Sequence, residues 1–328
     1  MDDSFFRCNP NSVGIPIPRW SLFCPVAKSE GFSGARIQAE CLKIDADGNV
    51  RVGLAAHPKE WFGMLAHLGD VLHFVRNDPV ALITFGQIPP MENWHNPIFP
   101  RDHNFLFAPN LAEYSSFCAT RGNSPVGAIY GFESRDVSGL VFEKILMPTL
   151  SNRDLFEEFV ITHQSSVESG GNWFPANHAY SERFRVRRAA RIPWLNSRWA
   201  QGAKDLVRVS VEFPNRLLVE VTQQRIPIRV LHYSNALIRT VVWSPKPDSE
   251  TNIAESGLSS FQDDSVGLNL DIEAIGSVWL WAGRCAGCGN HRWTVEIGDR
   301  QGRVCLSITI GAESLEDDWR RLIVACLS

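Results

Sequence analysis

The chain has 328 residues, enough for two domains of ordinary size, and 44% hydrophobic with 21% charged residues is a globular rather than a disordered balance. A formal net charge of -4 supplies no bulk positive field, so no nucleic-acid partner is expected. No apolar run approaches the roughly 18–20 residues that span a bilayer, and the acidic N-terminus has no long apolar core of a secretory signal; the expectation is a cytoplasmic protein without membrane insertion.

In chain order, residues 1–30 carry several prolines and little periodicity, the pattern of an N-terminal extension. Residues 36–44 and 50–55 read as strands around the turn Asp45-Ala46-Asp47-Gly48-Asn49, and 57–69 as an amphipathic helix closed by Gly69. Val71-Leu72-His73-Phe74 and Ala81-Leu82-Ile83 are strand-like mixtures of β-branched and aromatic residues. Residues 128–147 form a hairpin pattern turning near Gly139, and Ser151 is the expected N-cap of the helix after it. Residues 164–203, with a flexible-looking 165–171, read as a linker. Beyond it, 205–213 reads as a strand and 216–224 as either helix or strand. A second hairpin covers 292–310, and Ser314 leads into a last helix.

These elements repeat at a period of about 160 residues. Val71-Leu72-His73-Phe74 returns as Val230-Leu231-His232-Tyr233, and Ala81-Leu82-Ile83 as Ala236-Leu237-Ile238. Each hairpin is followed by a helix with one apolar face, Phe156, Phe159 and Val160 in the first and Trp319, Leu322 and Ile323 in the second. The fold class expected is therefore α+β: two tandem homologous units, each a large antiparallel sheet with flanking helices, and a cleft between them. The units are assigned to residues 31–163 and 204–328, with 164–203 as linker and lead-in.

Motifs for familiar chemistry are few. No Gly-rich phosphate loop, G-x-S-x-G elbow or H-E-x-x-H occurs. Cys285-x-x-Cys288 followed by His291 offers three zinc-type ligands, whereas a structural zinc site takes four. A dithiol redox pair would sit in a strand–helix context that is missing here. A reduced hairpin tip is the plainest reading, and zinc is not an expected cofactor. His73 and His232 hold equivalent positions, which in a sheet suits packed, hydrogen-bonded histidines. Arg76 reads as a structural hydrogen-bonding residue, and Arg183, Arg185, Arg187, Arg188 and Arg191 as a basic run.

The order of elements resembles the HemS/ChuS/PhuS group of haem-utilisation proteins. The resemblance spans roughly residues 35–328. It rests on Arg76-Asn77-Asp78 running to Gly86, on Gly267-Leu268-Asn269-Leu270-Asp271-Ile272 followed by Ile275-Gly276-Ser277-Val278-Trp279, and on the closing hairpin and helix. The chain departs from the group at several pocket positions. Leu82 stands where the group has a histidine, and Phe105-Leu106-Phe107-Ala108 where it has an arginine. Arg284 stands near its Lys-Pro pair, and Thr309 near its late tyrosine.

The resemblance implies a haem or related tetrapyrrole ligand, taken up for binding and trafficking in haem-iron utilisation. The alternatives it leaves are a haem-degrading enzyme fed by an external electron donor and a scaffold that has lost haem. It implies His178 as axial ligand to the haem iron, after Trp173 and before Tyr180 and Phe184. Trp173 and Tyr180 then line the porphyrin, and Arg183, Arg185, Arg188 and Arg284 face its propionates.

Overall fold

The computed structural model describes residues 42–44, 50–88, 105–109, 113–124, 127–136, 141–148, 151–165, 205–234, 236–254, 257–284 and 291–327. It is an α+β protein built on antiparallel sheets, as the sequence pattern leads one to expect. The strands are β1 (Leu42–Ile44), β2 (Val50–Leu54), β3 (Asp70–Arg76), β4 (Val80–Gln87), β5 (Phe105–Pro109), β6 (Tyr114–Ser124), β7 (Gly127–Asp136) and β8 (Val141–Met147). They continue as β9 (Asp205–Val209), β10 (Ile228–Tyr233), β11 (Leu237–Trp243), β12 (Glu250–Ile253), β13 (Leu258–Gln262), β14 (Val266–Asp271), β15 (Ile275–Arg284), β16 (His291–Asp299) and β17 (Val304–Ile310). The helices are α1 (Pro58–Leu65), α2 (Arg153–His163), α3 (Phe213–Gln224) and α4 (Glu316–Leu327).

The described residues fall into two compact units. One holds those up to Phe74, those from Thr84 to 88 and those from 113 to 165; the other holds Val75–Ile83, β5 and everything from β9 onward. In the first unit the sheet runs β1-β2-β6-β7-β8-β3-β4, and in the second β5-β11-β10-β17-β16-β15-β9. The six strands β2-β6-β7-β8-β3-β4 and the six strands β9-β15-β16-β17-β10-β11 follow the same order, so the repeat read in the sequence is also a repeat of topology. The second unit also contains Val80–Ile83 of β4 beside β14, with β13 and β12 beyond. Gly267 suits that approach, because an added Cβ there would already touch Ile83 at 3.4 Å.

Each sheet buries one face. In the first unit Trp61 of α1 stacks on Phe117 at 4.8 Å and meets Phe132 edge-on at 4.6 Å, and Phe132 packs on Phe156 of α2 at 4.6 Å. All four rings are fully buried, and each such pair contributes roughly 0.5–1.5 kcal/mol beyond its area. On the same face Ser134 and Glu143 are register partners. The Ser134 hydroxyl donates to Glu143 Oε2 at 2.7 Å, and Glu143 Oε1 meets His73 Nε2 at 2.8 Å, all buried.

Several boundaries differ from those expected. The cap of α2 is Asn152, whose side chain accepts from Leu155 N, and not Ser151; Ser151 instead donates to Asp70 O at 2.6 Å, tying the helix start to β3. Ser314 lies inside a single 3-10 turn, Glu313–Leu315, that precedes α4. The strand expected over 205–213 stops at Val209, since Pro214 in the first helical turn favours α3. Residues 216–224 are helical, and Arg225 in the left-handed region, φ 55, ends them. The first helix stops at Leu65, ahead of the expected Gly69, which has φ 83 and serves the turn into β3.

Candidate functional site

The second unit presents a sheet with one closed and one half-open face. Cross-strand partners share a face, and side chains alternate along each strand. Val278, Val295, Ile297, Leu306, Ile308 and Val230 lie on one face and are fully buried. The opposite face carries two rows. One runs Arg208–Trp279–Glu296–Ser307–Leu231–Thr240, and the other Leu206–Trp281–Thr294–Thr309–Arg229–Val242. In the first row Arg208 is exposed and Trp279 and Leu231 are half-buried; in the second Leu206, Thr294, Arg229 and Val242 are half-buried. Indole and aliphatic surface is thus laid beside two guanidinium groups on a rigid floor.

Polar groups on this face are tied together. Ser307 Oγ lies 3.3 Å from Glu296 Oε1 and 3.4 Å from the Tyr233 hydroxyl. With a single proton, the serine donates to the carboxylate and accepts from the tyrosine. Thr309 donates to Trp293 O at 3.2 Å, and the same carbonyl accepts from Trp319 Nε1 at 2.9 Å, which anchors α4 to β16. A cavity of about 220 Å³ opens near the end of the first row, lined by Arg208, Ser277, Trp279, Glu296, Arg300 and Gln301 among others. Arg300 is committed elsewhere, with Nε and Nη2 both donating to Glu273 O at 3.1 and 2.6 Å.

The triplet Arg76-Asn77-Asp78 serves the second unit. Asn77 Nδ2 donates to Tyr233 O at 2.8 Å and Cys305 O at 3.0 Å, while its Oδ1 accepts from Val80 N at 3.0 Å. The turn is thereby clipped to the ends of β10 and β17. Asp78 lies 3.8 Å from Arg303, which is itself held by Asp299 at 2.6 Å. Arg76 is buried, in keeping with a structural role. The two equivalent histidines have different partners. His73 meets Glu143, whereas His232 is opposite Leu306 and meets Val80 O at 3.3 Å.

Of the residues singled out in the sequence, Trp173, His178, Tyr180, Arg183, Arg185, Arg188, Cys285 and Cys288 lie outside the described residues. Arg284 ends β15 and His291 opens β16 as register partners, and their side chains lie outside the described set. Thr309 is brought onto the half-open face beside Arg229, Thr294 and Trp281. Arg208, Arg229 and Glu296 were not singled out by motif, although the strict alternation along β16 and β17 does mark which residues share their face. Among the described residues no group of three His, Cys, Asp or Glu side chains is placed to hold a metal ion, and no helix is long and apolar enough to cross a membrane.

The fold and the site define a class: two antiparallel sheets of one strand order with helices against them, the second presenting a half-open aromatic and cationic face. No protein-family model matches the sequence, and no curated protein does. Solved structures do match. The haem-degrading enzyme ChuS of Escherichia coli O157:H7 is 13% identical with a TM-score of 0.64, over 85% of this chain and 87% of ChuS. Holo-PhuS, a haem-binding protein from Pseudomonas aeruginosa, is 15% identical with a TM-score of 0.62, over 83% of this chain and 86% of PhuS. Apo-PhuS gives 14% and 0.61, over 84% and 86%. The chain has the fold of ChuS and PhuS.

Proposed function

We propose that the chain is a cytoplasmic haem-binding protein that carries haem in haem-iron utilisation. The observation that supports this is the match of fold, over more than four-fifths of the chain, to proteins named for haem binding and haem degradation. The half-open face of the second sheet agrees with it chemically. Trp279 and Leu231 offer apolar surface for a porphyrin, and Arg229 and Arg208 offer cations for its carboxylates. On this reading His178 is the axial ligand, Trp173 and Tyr180 line the ring, and Arg183, Arg185, Arg188 and Arg284 complete the cationic rim. Residues 31–163 and 204–328 are the two halves of an ancestral duplication.

The test is a titration of hemin into the purified chain, followed in the visible. A saturable, one-to-one Soret shift is expected, and His178→Ala is expected to weaken binding and move the band while leaving the far-ultraviolet signal intact. Absence of a saturable shift removes the reading, and an unchanged band in His178→Ala moves the axial role elsewhere. Steady biliverdin formation with a reductant and catalase present assigns ring opening, with the electrons coming from an external donor.

A further inference from the structure

We infer that Arg208, with Trp279 beside it, is a carboxylate-binding subsite of the second sheet's half-open face. It takes one propionate arm of the tetrapyrrole; this rests on the haem-binding reading above. The cavity at this corner, about 220 Å³, is smaller than the roughly 300 Å³ at which whole small-molecule sites begin. It therefore suits a substituent rather than a macrocycle. Two cations line it. Arg300 spends its Nε and one terminal nitrogen on Glu273 O. Arg208 makes one contact of 3.5 Å with Gly276 O, at the limit of a hydrogen bond. Its guanidinium retains the planar fork that carboxylates take up in a bidentate way.

Arg208 and Trp279 are register partners on β9 and β15, so the guanidinium stands next to a half-buried indole. A ring lying along Trp279 would direct an attached carboxylate towards the cavity, which Trp279 itself lines. Two charges oppose this: Asp299, which also lines the cavity but is buried and held by Arg303 at 2.6 Å, and Glu296, which lines it as well. Glu296 is 3% exposed and is reached by the Ser307 hydroxyl, so the arginine meets an incoming anion at the surface while that carboxylate sits on the floor.

The experiment titrates hemin and hemin dimethyl ester, whose carboxylates are masked, into the full chain, the Arg208→Ala variant and the Glu296→Gln variant. Arg208 is exposed on an edge strand, so its replacement leaves the fold in place, and circular dichroism verifies this. Arg208→Ala is expected to weaken hemin at least about tenfold, the worth of one charge-assisted hydrogen bond, and to leave the ester unchanged. Glu296→Gln is expected to tighten hemin and not the ester. An equal loss for hemin and ester, or no loss for either, overturns the subsite while haem binding stands. If wild-type protein binds neither, the haem reading falls and the subsite falls with it.

Discussion

Replacing Asn77 tests how the turn between β3 and β4 is held in the second unit. Its side chain makes three hydrogen bonds: two donated by Nδ2, at 2.8 Å to Tyr233 O and 3.0 Å to Cys305 O, and one accepted from Val80 N at 3.0 Å. Each is worth about 0.5–1.5 kcal/mol net, and an orphaned buried partner costs more. Asn77→Ala should therefore destabilise the second unit by about 2–4 kcal/mol. Asn77→Asp keeps the acceptor for Val80 N but aims a carboxylate oxygen at two carbonyls. It should be worse than alanine, although it is the closer match in shape. Urea unfolding measures the loss as a lower midpoint, and hydrogen exchange at the Val80 amide locates it. Exchange there should accelerate more in Asn77→Ala, which has no side-chain acceptor, than the global loss accounts for. A loss under about 0.5 kcal/mol, or an aspartate variant as stable as wild type, would refute the clip.

Two further outcomes are expected. His73→Leu strands the fully buried Glu143 carboxylate and should cost about 3–5 kcal/mol; the double variant His73→Leu/Glu143→Leu should recover part of that, and thermal unfolding that ranks the double below the single counts against the pairing. Burial raises the Cys326 thiol above the ordinary thiol range, with the nearby Glu220 adding to the rise and Arg216 opposing it. The native thiol thus stays protonated to higher pH than an unfolded one, and its alkylation by iodoacetamide at pH 8 should be slower than in the denatured chain and should climb only at higher pH; equal rates would contradict this.

Much of this architecture was written in local pattern. Two strand-like runs joined by a polar turn, in 128–147 and again in 292–310, are enough to mark both hairpins, and β7 pairs with β8 and β16 with β17 accordingly. The apolar faces Phe156, Phe159, Val160 and Trp319, Leu322, Ile323 are all buried as their helical spacing requires. The recurrence of Val-Leu-His around His73 and His232 marks two equivalent strands, and these hold equivalent places in the two sheets as β3 and β10. What local pattern does not contain is partnership across long separations. Ser151 and Asn152 are both good caps in sequence, and only the position of Asp70 O decides that Ser151 points there and Asn152 caps. His73 and His232 sit in the same motif, yet one meets a glutamate and the other a carbonyl, because the facing residue is Glu143 in one sheet and Leu306 lies opposite in the other. Arg208, Trp279 and Glu296 come from three strands dispersed over the chain. Their place in one row is set by strand register, a tertiary property fixed by the buried face beneath them and not by their own neighbours in sequence.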